Sequence, residues 1–122
     1  DEAAILLNQK KEVLTASDQY FNPTFVGDLV QAIINIQEKD LRGYLNVCAP
    51  KTWSRFEMHT QLAQIMNKNI NLIKKIKLYD IPIMKGRPLN TSMVCNRLNQ
   101  ETQSMFISLK DAMGKVASNY KN

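Results

Sequence analysis

The stretch Asp18-Gln19-Tyr20-Phe21-Asn22-Pro23-Thr24-Phe25-Val26-Gly27-Asp28 joins a short strand candidate to a long apolar helix candidate. Asn22-Pro23 marks a turn, because proline fixes its own φ and biases the residue before it toward extended backbone. Asp28 then precedes apolar residues at helical spacing, and its carboxylate is a good N-cap for the free amides of a first helical turn. The stretch therefore predicts a loop that leads from a strand into a helix ending near Glu38.

Helices and strands alternate along the rest of the chain. Runs of apolar and β-branched residues predict strands at Glu12–Ala16, Tyr44–Cys48 and Asn69–Lys77. Helical spacing or caps predict helices at Ala3–Asn8, from Ser54 to about Asn67, at Asn96–Thr102 and at Ser108–Asn119. Ser54 and Glu57 have the spacing of a capping box. This alternation with short loops indicates an α/β fold with parallel or mixed strand pairing.

The composition is that of an ordinary globular domain. The chain has 122 residues, of which 44% are hydrophobic and 22% are charged, enough for one domain with one core. Its longest apolar runs are far too short to span a bilayer, so no membrane partner is expected. Asp1-Glu2 is acidic where a signal peptide would be basic. We expect a cytoplasmic protein in which Cys48 and Cys95 are reduced thiols rather than a disulfide.

The net charge of +5 gives a weak preference for anionic partners. Part of the excess lies in Lys74-Lys75 and Lys77, which we interpret as the solvated face of a strand. A nucleic-acid-binding module would add aromatic or Gly-rich signatures among its basic residues. The sequence has none of these signatures, so nucleic acid is disfavoured as a partner.

The clearest candidate for ligand binding is Arg87-Pro88 with the following Asn90-Thr91-Ser92. A guanidinium offers a planar fork of donors that fits a phosphate bidentately, and the proline holds the arginine near extended geometry. Asn90 and Ser92 share one face of an extended segment, where they either bind a ligand or order the loop. Lys85 would add positive charge to the same pocket. The alternative is a solvated loop arginine without a ligand.

Two further side chains have competing interpretations. Trp53 precedes the Ser54 cap, so we interpret it as a hydrophobic staple, with a stacking platform for a base or sugar as the second possibility. His59, the single histidine, is expected at the surface or boundary of a helix. One histidine and two separated cysteines make no zinc site, so no metal is expected. Asp18 is assigned to turn formation rather than acid–base chemistry.

Several short motifs follow one another along the chain, in the order Asp18-Gln19, Pro23-Thr24, Asp28-Leu29, Arg87-Pro88 and Asn90-Thr91-Ser92. Together they resemble the later part of the dTDP-4-dehydrorhamnose reductase family. These extended short-chain dehydrogenases/reductases act on nucleotide sugars. The resemblance runs from about Lys11 to about Tyr120. It implies that the Tyr44–Cys48 segment is an edge strand of a Rossmann-like parallel sheet, and that the remainder is a small mixed α/β substrate-binding lobe. It also implies a nucleotide-diphosphate sugar as ligand, with Arg87 at the diphosphate.

The parts that carry the reaction in that family are missing from this sequence. The four glycines, Gly27, Gly43, Gly86 and Gly114, are too far apart for the Gly-rich turn of a dinucleotide site, and no Tyr-x-x-x-Lys pattern occurs. We therefore expect residues 1–122 to be a single domain or fragment, the substrate-binding C-terminal portion of a longer protein whose N-terminal dinucleotide-binding half is absent. No cofactor is expected in this chain, and NAD(P) is expected in the full-length parent.

Three functions stay open. The first is the sugar-nucleotide-binding portion of a reductase or epimerase that, in the parent, reduces a nucleotide-linked 4-keto sugar with NAD(P). The second is a non-catalytic regulatory or scaffold relative, and the third is an unrelated basic α/β domain that binds RNA or protein. The expected protein partners are the missing N-terminal half and a second copy in a homodimer, because the Asp28 helix would leave an uncovered apolar face.

Overall fold

The structure, a computed structural model, describes residues 2–120. Five helices and four short strands follow one another in this part of the chain. They are α1 (Glu2–Asn8), β1 (Val13–Ala16), β2 (Tyr20–Phe21), α2 (Val26–Glu38), β3 (Trp53–Ser54), α3 (Arg55–Ile65), β4 (Ile73–Ile76), α4 (Asn96–Thr102) and α5 (Leu109–Ser118). Short 3₁₀ turns lie at Ile70–Leu72, Leu78–Asp80 and Pro82–Met84.

Two small sheets link segments that are distant in sequence. β1 pairs with β4 in parallel, with Val13 opposite Ile73. β2 pairs with β3 in antiparallel fashion, with Tyr20 opposite Ser54. Tyr20 also forms a parallel bridge to Asn90 on its other side. The mixed α/β class and the small parallel sheet confirm the fold class predicted from the sequence.

The main core surrounds α3, which packs against α1, α5, β1 and β4. Leu7 and Leu62 are fully buried at its centre. The buried members of this core are Ala3, Ala4, Leu7, Val13, Leu62, Ala63, Ile73, Leu109 and Met113. Burying each large aliphatic side chain contributes about 1.5–3 kcal/mol. α3 therefore holds the two ends of the described chain together.

A capping box begins α3, as predicted. The Ser54 hydroxyl accepts from the Glu57 amide at 3.1 Å, and the Glu57 carboxylate accepts from the Ser54 amide at 2.7 Å. The bonds from Ser54 hold the pKa of the Glu57 carboxyl below its usual range. Ser54 is buried and belongs to β3, so this cap also fixes where the helix starts relative to the second sheet.

The segment Tyr44–Cys48 is irregular, and its prediction as a strand was wrong. Among the described residues no strand runs alongside it, so it has no ladder of backbone hydrogen bonds. Side-chain bonds hold it instead. The Asn46 amide donates to the Val94 carbonyl at 3.1 Å, and the Cys95 thiol donates to the Cys48 carbonyl at 3.1 Å. An apolar run alone therefore did not make this segment an edge strand.

Cys48 and Cys95 lie in a second, smaller core between the Tyr44–Cys48 segment, α2 and α4. Both are buried free thiols. Ala32 and Leu98 are the other buried members. Burial and the neighbouring Cys95 raise the pKa of the Cys48 thiol to about 11. This core attaches α4 to α2.

Asp28 is not the N-cap of α2, contrary to the prediction. The helix begins two residues earlier, at Val26, with Phe25 at the N-cap position in extended conformation and without a side-chain cap. The Asp28 carboxylate instead accepts a hydrogen bond of 2.9 Å from the Ile107 amide. The residue lies in the first turn, where a negative charge is favourable, but it connects α2 to the segment before α5.

Two other predictions needed correction in detail. The predicted strand Asn69–Lys77 begins as a 3₁₀ turn capped by the Asn69 side chain, and only Ile73–Ile76 pairs with β1. Asp18 does not simply form a turn, because its carboxylate accepts from the Leu78 amide at 2.9 Å. The first correction comes from a local cap by Asn69, and the second comes from a contact between residues sixty positions apart.

One face of α2 is apolar and uncovered within the described part of the chain. The large hydrophobic side chains exposed on it are Val26, Leu29, Val30, Ile33 and Ile34. Apolar side chains clustered in this way usually mark a surface that another protein covers. The exposed face agrees with the wide apolar stripe read from the sequence.

Removing the capping box should measurably destabilise the fold. We expect Ser54→Ala to lower the free energy of unfolding by about 1 kcal/mol, because the first turn of α3 loses its cap. Denaturant unfolding followed by circular dichroism measures this. Ser118→Ala, at the exposed end of α5, is the control and should have little effect. Equal stability of Ser54→Ala and the unmodified chain would contradict the role of the cap.

The apolar face of α2 should make the 122-residue chain self-associate. We expect light scattering to show oligomers at high concentration, and the double variant Val30→Lys/Ile33→Lys to remain monomeric. Gln31→Lys/Gln37→Lys adds the same charge at exposed polar positions of the same helix and should associate like the unmodified chain. If the unmodified chain stayed strictly monomeric at high concentration, the prediction of self-association through the apolar face of α2 would be wrong.

Candidate functional site

A cavity of about 400 Å³ opens beside α1, β1 and the first turns of α3. Its wall is part apolar and part charged. The residues that line it are Glu2, Ala3, Leu6, Glu12, Val13, Leu14, Ala16, Gln19, Arg55, His59, Leu78, Ile81 and Met84. Among the described residues that line it, Arg55 is the only cation. We refer to this space as the Arg55 cavity.

Gln19 fixes the position of Arg55. The Arg55 amide donates to the Gln19 carbonyl at 3.0 Å, and Arg55 Nε donates to Gln19 Oε1 at 2.9 Å. Gln19 is buried, so its side chain is held in place. Arg55 Cζ also lies 5.5 Å from the centre of the Phe21 ring. The guanidinium is therefore oriented by a neutral amide and an aromatic ring, not by a carboxylate.

The segment that carries Arg87 is attached to the backbone of β2. The Tyr20 amide donates to the Leu89 carbonyl at 2.7 Å, and the Thr91 amide donates to the Tyr20 carbonyl at 2.9 Å. Gly86, with φ +86°, makes the turn just before Arg87. A residue with a side chain would be strained in this left-handed conformation. The backbone around Arg87 is thus fixed on both sides.

Arg87 has no anionic partner within residues 2–120. Its side chain is exposed, and no carboxylate lies within ion-pair distance of it. Burial and the nearby charge of Arg87 lower the pKa of Arg55. Arginine keeps its proton in proteins, so Arg87 is a second positive charge that acts on Arg55, although it is not among the residues that line the Arg55 cavity.

The other residues predicted to bind a ligand lie near Arg87 but contribute differently. Asn90 Oδ1 accepts from the Ser92 amide at 2.9 Å and from the Ser92 hydroxyl at 2.7 Å. These bonds order the loop, which was one of the two predicted roles. Lys85 is exposed two residues before Arg87. A ligand contact of Asn90, Ser92 or Lys85 stays a prediction.

The structure places Trp53 apart from these residues, at a second cavity of about 350 Å³. The Lys51 ammonium lies 4.0 Å from the centre of the Trp53 ring and covers one of its faces. Trp53 also packs against the main core. Trp53 and Arg55 line different cavities. Trp53 therefore does not belong to the Arg55 cavity, and its role as a stacking platform stays a prediction.

His59 was expected near the surface, but it is buried. Its Nδ1 lies 2.9 Å from the Thr15 hydroxyl, because α3 packs directly on β1. Burial, with a smaller effect from the Arg55 charge, lowers the pKa of His59 to about 4. The imidazole is therefore neutral near pH 7 and adds no charge to the Arg55 cavity, which it lines.

Arg55 and Gln19 were not identified as site residues from the sequence. Their contact depends on the pairing of β2 with β3, which joins residues more than thirty positions apart. One local signal was present. Arg55 is the first residue of α3, where the positive end of the helix dipole disfavours a cation. A cation at such a position indicates a role other than helix stabilisation.

The sequence matches the family described as the RmlD substrate binding domain over residues 3–122. The chain belongs to this family. This confirms the resemblance found in the Asp18-Gln19 and Arg87-Pro88 segments, and it overturns the alternative of an unrelated basic α/β domain. Comparison with curated proteins gave no match.

Solved structures share the fold of this substrate binding domain. The dTDP-4-dehydrorhamnose reductase of Bacillus anthracis, in complex with NADP, is 20% identical with a TM-score of 0.82, over 93% of this chain and 40% of that one. The Yersinia enterocolitica reductase is 18% identical with a TM-score of 0.81, over 98% and 42%. The dTDP-glucose 4,6-dehydratase of Bacillus anthracis, in complex with NAD, is 13% identical with a TM-score of 0.80, over 98% and 37%. The chain spans about two-fifths of the length of these enzymes.

A metal site or a membrane-spanning helix would be an alternative to the Arg55 cavity. Within residues 2–120, His, Cys, Asp and Glu side chains nowhere gather in threes as a metal ion would require. None of the helices described is both long enough and apolar enough to cross a membrane. The Arg55 cavity, with the charge of Arg87 acting on Arg55, therefore stands as the candidate site of the domain.

The buried histidine should make stability depend on pH. Because the folded-state pKa of His59 is about 4 and its ordinary value is 6.5, the unfolded chain takes up a proton below pH 6.5 that the folded chain does not. The free energy of unfolding should therefore fall by about 2 kcal/mol between pH 7 and pH 5. The loss should level off below about pH 4.

Denaturant unfolding of the unmodified chain and of His59→Gln at both pH values tests this. His59 is the single histidine, and the carboxylates titrate in both proteins. The difference between the two proteins in how far the free energy of unfolding falls from pH 7 to pH 5 is therefore due to His59. A steeper fall for the unmodified chain is expected. Parallel pH profiles would show that the imidazole is not held in its neutral form.

Proposed function

We propose that this chain is the sugar-nucleotide-binding portion of a longer protein similar to dTDP-4-dehydrorhamnose reductase, and that Arg87 contacts the diphosphate of its ligand. In that longer protein, a nucleotide-linked 4-keto sugar would be reduced with NAD(P). Family membership over residues 3–122 supports the binding role. The likeness in fold to reductases of about two and a half times this length supports the longer protein.

The unpaired guanidinium of Arg87 is the observation that carries this proposal. An exposed loop residue without a ligand would not need a backbone held by hydrogen bonds on both sides, from the Arg87 amide to the Met84 carbonyl and at Leu89 and Thr91. Planar, bidentate donors match the oxygens of a phosphate group. An exposed arginine without a carboxylate partner among the described residues, on a backbone that hydrogen bonds hold in place, can bind an anion.

The residues of this chain do not fit a dinucleotide cofactor. A pyrophosphate needs closely spaced glycines between a strand and a helix, but Gly27 lies within α2, Gly114 lies within α5, and Gly43 and Gly86 lie in separate turns. We therefore assign NAD(P) to the preceding half of the longer protein and derive no hydride-transfer step here.

The same sugar-nucleotide-binding role would hold in a non-catalytic relative. A Gly-rich turn and a Tyr-x-x-x-Lys pattern in the preceding sequence would identify an active enzyme.

Reversing the charge of Arg87 should weaken ligand binding without unfolding the protein. We expect Arg87→Glu in the whole protein to lower the affinity for nucleotide sugars such as dTDP-glucose at least about tenfold, because a bidentate donor is replaced by a repelling carboxylate. Isothermal titration calorimetry measures the affinity, and circular dichroism confirms folding, since the side chain is exposed.

Arg42→Glu is the matched control. Arg42 is also exposed, and it pairs with Asp40 at the surface, so its loss costs little stability. We expect its affinity for nucleotide sugars to equal that of the unmodified protein. An unchanged affinity in Arg87→Glu would remove Arg87 from the binding site.

A further inference from the structure

The cavity beside Trp53 is separate from the Arg55 cavity, and the two have no lining residue in common. It has a volume of about 350 Å³ and is lined by the loop after Cys48, by α3 and by the start of α5. A cavity of this size can hold a small molecule. Its apolar wall includes Pro50, Trp53, Phe106 and Leu109. We refer to this space as the Trp53 cavity.

Hydrogen bonds fix two sides of the Trp53 cavity. On one side, the Ala49 amide donates to the Thr24 hydroxyl at 2.9 Å, and the Asn22 side-chain amide donates to the Ala49 carbonyl at 2.9 Å. On the other side, the Ile107 amide donates to the Asp28 carboxylate at 2.9 Å. Ala49 and Ile107 both line the cavity. Its shape is therefore set by the fold, and a preformed site costs a ligand less to occupy.

The charged residues of the wall are all positive among the described part of the chain. Lys51 and Lys110 line the cavity, whereas no carboxylate does. Neither lysine has a carboxylate within ion-pair distance in residues 2–120. The charge of Lys51 helps to lower the pKa of Glu57, but that carboxylate is bound to the Ser54 amide in the cap of α3. The cavity thus combines an apolar wall with two unpaired ammonium groups.

Two other carboxylates bond to residues of the wall without lining the cavity themselves. Asp28 accepts from the Ile107 amide, and Asp111 accepts from the Ser108 hydroxyl at 2.6 Å. Each of these bonds holds the wall together and leaves the ammonium groups unneutralised. The positive charge of Lys51 and Lys110 therefore remains available to attract an anion.

The ring of Trp53 holds one of these cations at the cavity. The Lys51 ammonium lies 4.0 Å from the ring centre, where the π electrons attract it. An indole offers a donor but no conventional acceptor, so this contact leaves the N–H donors of the ammonium for a ligand. Because Lys51 covers that face of the ring, the apolar part of a ligand would pack against the other apolar residues of the wall.

We propose that the Trp53 cavity is a second ligand site, which binds a small aromatic carboxylate. Its ring packs against Pro50, Phe106 and Leu109, and its carboxylate accepts hydrogen bonds from Lys51 and Lys110. The apolar wall requires an apolar body and the two ammonium groups require an anion, and an aromatic carboxylate supplies both in one small molecule. The site uses no residue of the Arg55 cavity, so it does not depend on the proposed function.

The test titrates the 122-residue chain with benzoate and with benzamide, a neutral molecule of nearly the same shape. Trp53 is the single tryptophan, so its indole N–H gives one signal in a proton–nitrogen correlation NMR spectrum and reports on this cavity. We expect benzoate to shift this signal in a saturable way. Its dissociation constant should be at least about tenfold lower than that of benzamide, because only benzoate carries the charge that the lysines bind.

Lys51→Gln and Lys110→Gln remove the two charges one at a time. Both lysines are exposed, so both variants should fold, which circular dichroism checks. We expect each variant to weaken benzoate binding at least about threefold and to leave benzamide binding unchanged. Lys11→Gln changes an exposed lysine outside the cavity. It is the matched control and should bind benzoate as the unmodified chain does.

Saturable benzoate shifts that both lysine variants weaken would support the site. A benzoate affinity no higher than that of benzamide would overturn it, because the lysines would then contribute nothing to binding. An affinity unchanged in both Lys51→Gln and Lys110→Gln would also overturn it, since benzoate would then bind elsewhere. So would an indole signal of Trp53 that does not respond to benzoate.

Discussion

The backbone of Tyr20 is the point on which the candidate site depends. Its amide and carbonyl bond to Leu89 and Thr91, and its other edge pairs with Ser54. These contacts join three segments that are remote from one another in sequence. Without them, Arg87 would lie on an unattached loop and Arg55 would merely begin a helix. Because the bonds are made by main-chain atoms, they fix position regardless of which side chains the neighbouring residues carry.

Electrostatics divides the cations of this domain into two groups. Lys74 and Arg97 meet carboxylates at the surface, where such pairs contribute little to stability. Arg55 is half-buried and loses solvation, and Arg87 adds repulsion, so both effects lower the pKa of Arg55. A cation with a lowered pKa beside a cavity is a candidate for ligand binding.

Local signals predicted the parts of the fold that depend only on neighbouring residues. The capping box of Ser54 and Glu57, the helix α4 and the apolar face of α5 were all predicted correctly. The roles of Asp28 and Tyr44–Cys48 were predicted wrongly. The Asp28 carboxylate bonds to the distant Ile107 amide, and among residues 2–120 no strand pairs with Tyr44–Cys48. The site follows the same rule. Arg87 was predicted as a ligand-binding residue from Arg-Pro and stays a prediction, whereas Gln19 and Arg55 become a pair only when β2 pairs with β3.

The buried thiols of the second core give the molecule an internal reporter. Thiolates react with alkylating reagents and thiols hardly do, and the pKa of Cys48 is raised to about 11. Both thiols are also buried, so a reagent reaches them when the Tyr44–Cys48 segment separates from α4. The rate of alkylation therefore measures how often this segment opens. Because that segment is held by side-chain bonds rather than a β-ladder, its loosening can be followed separately from the unfolding of the core around α3.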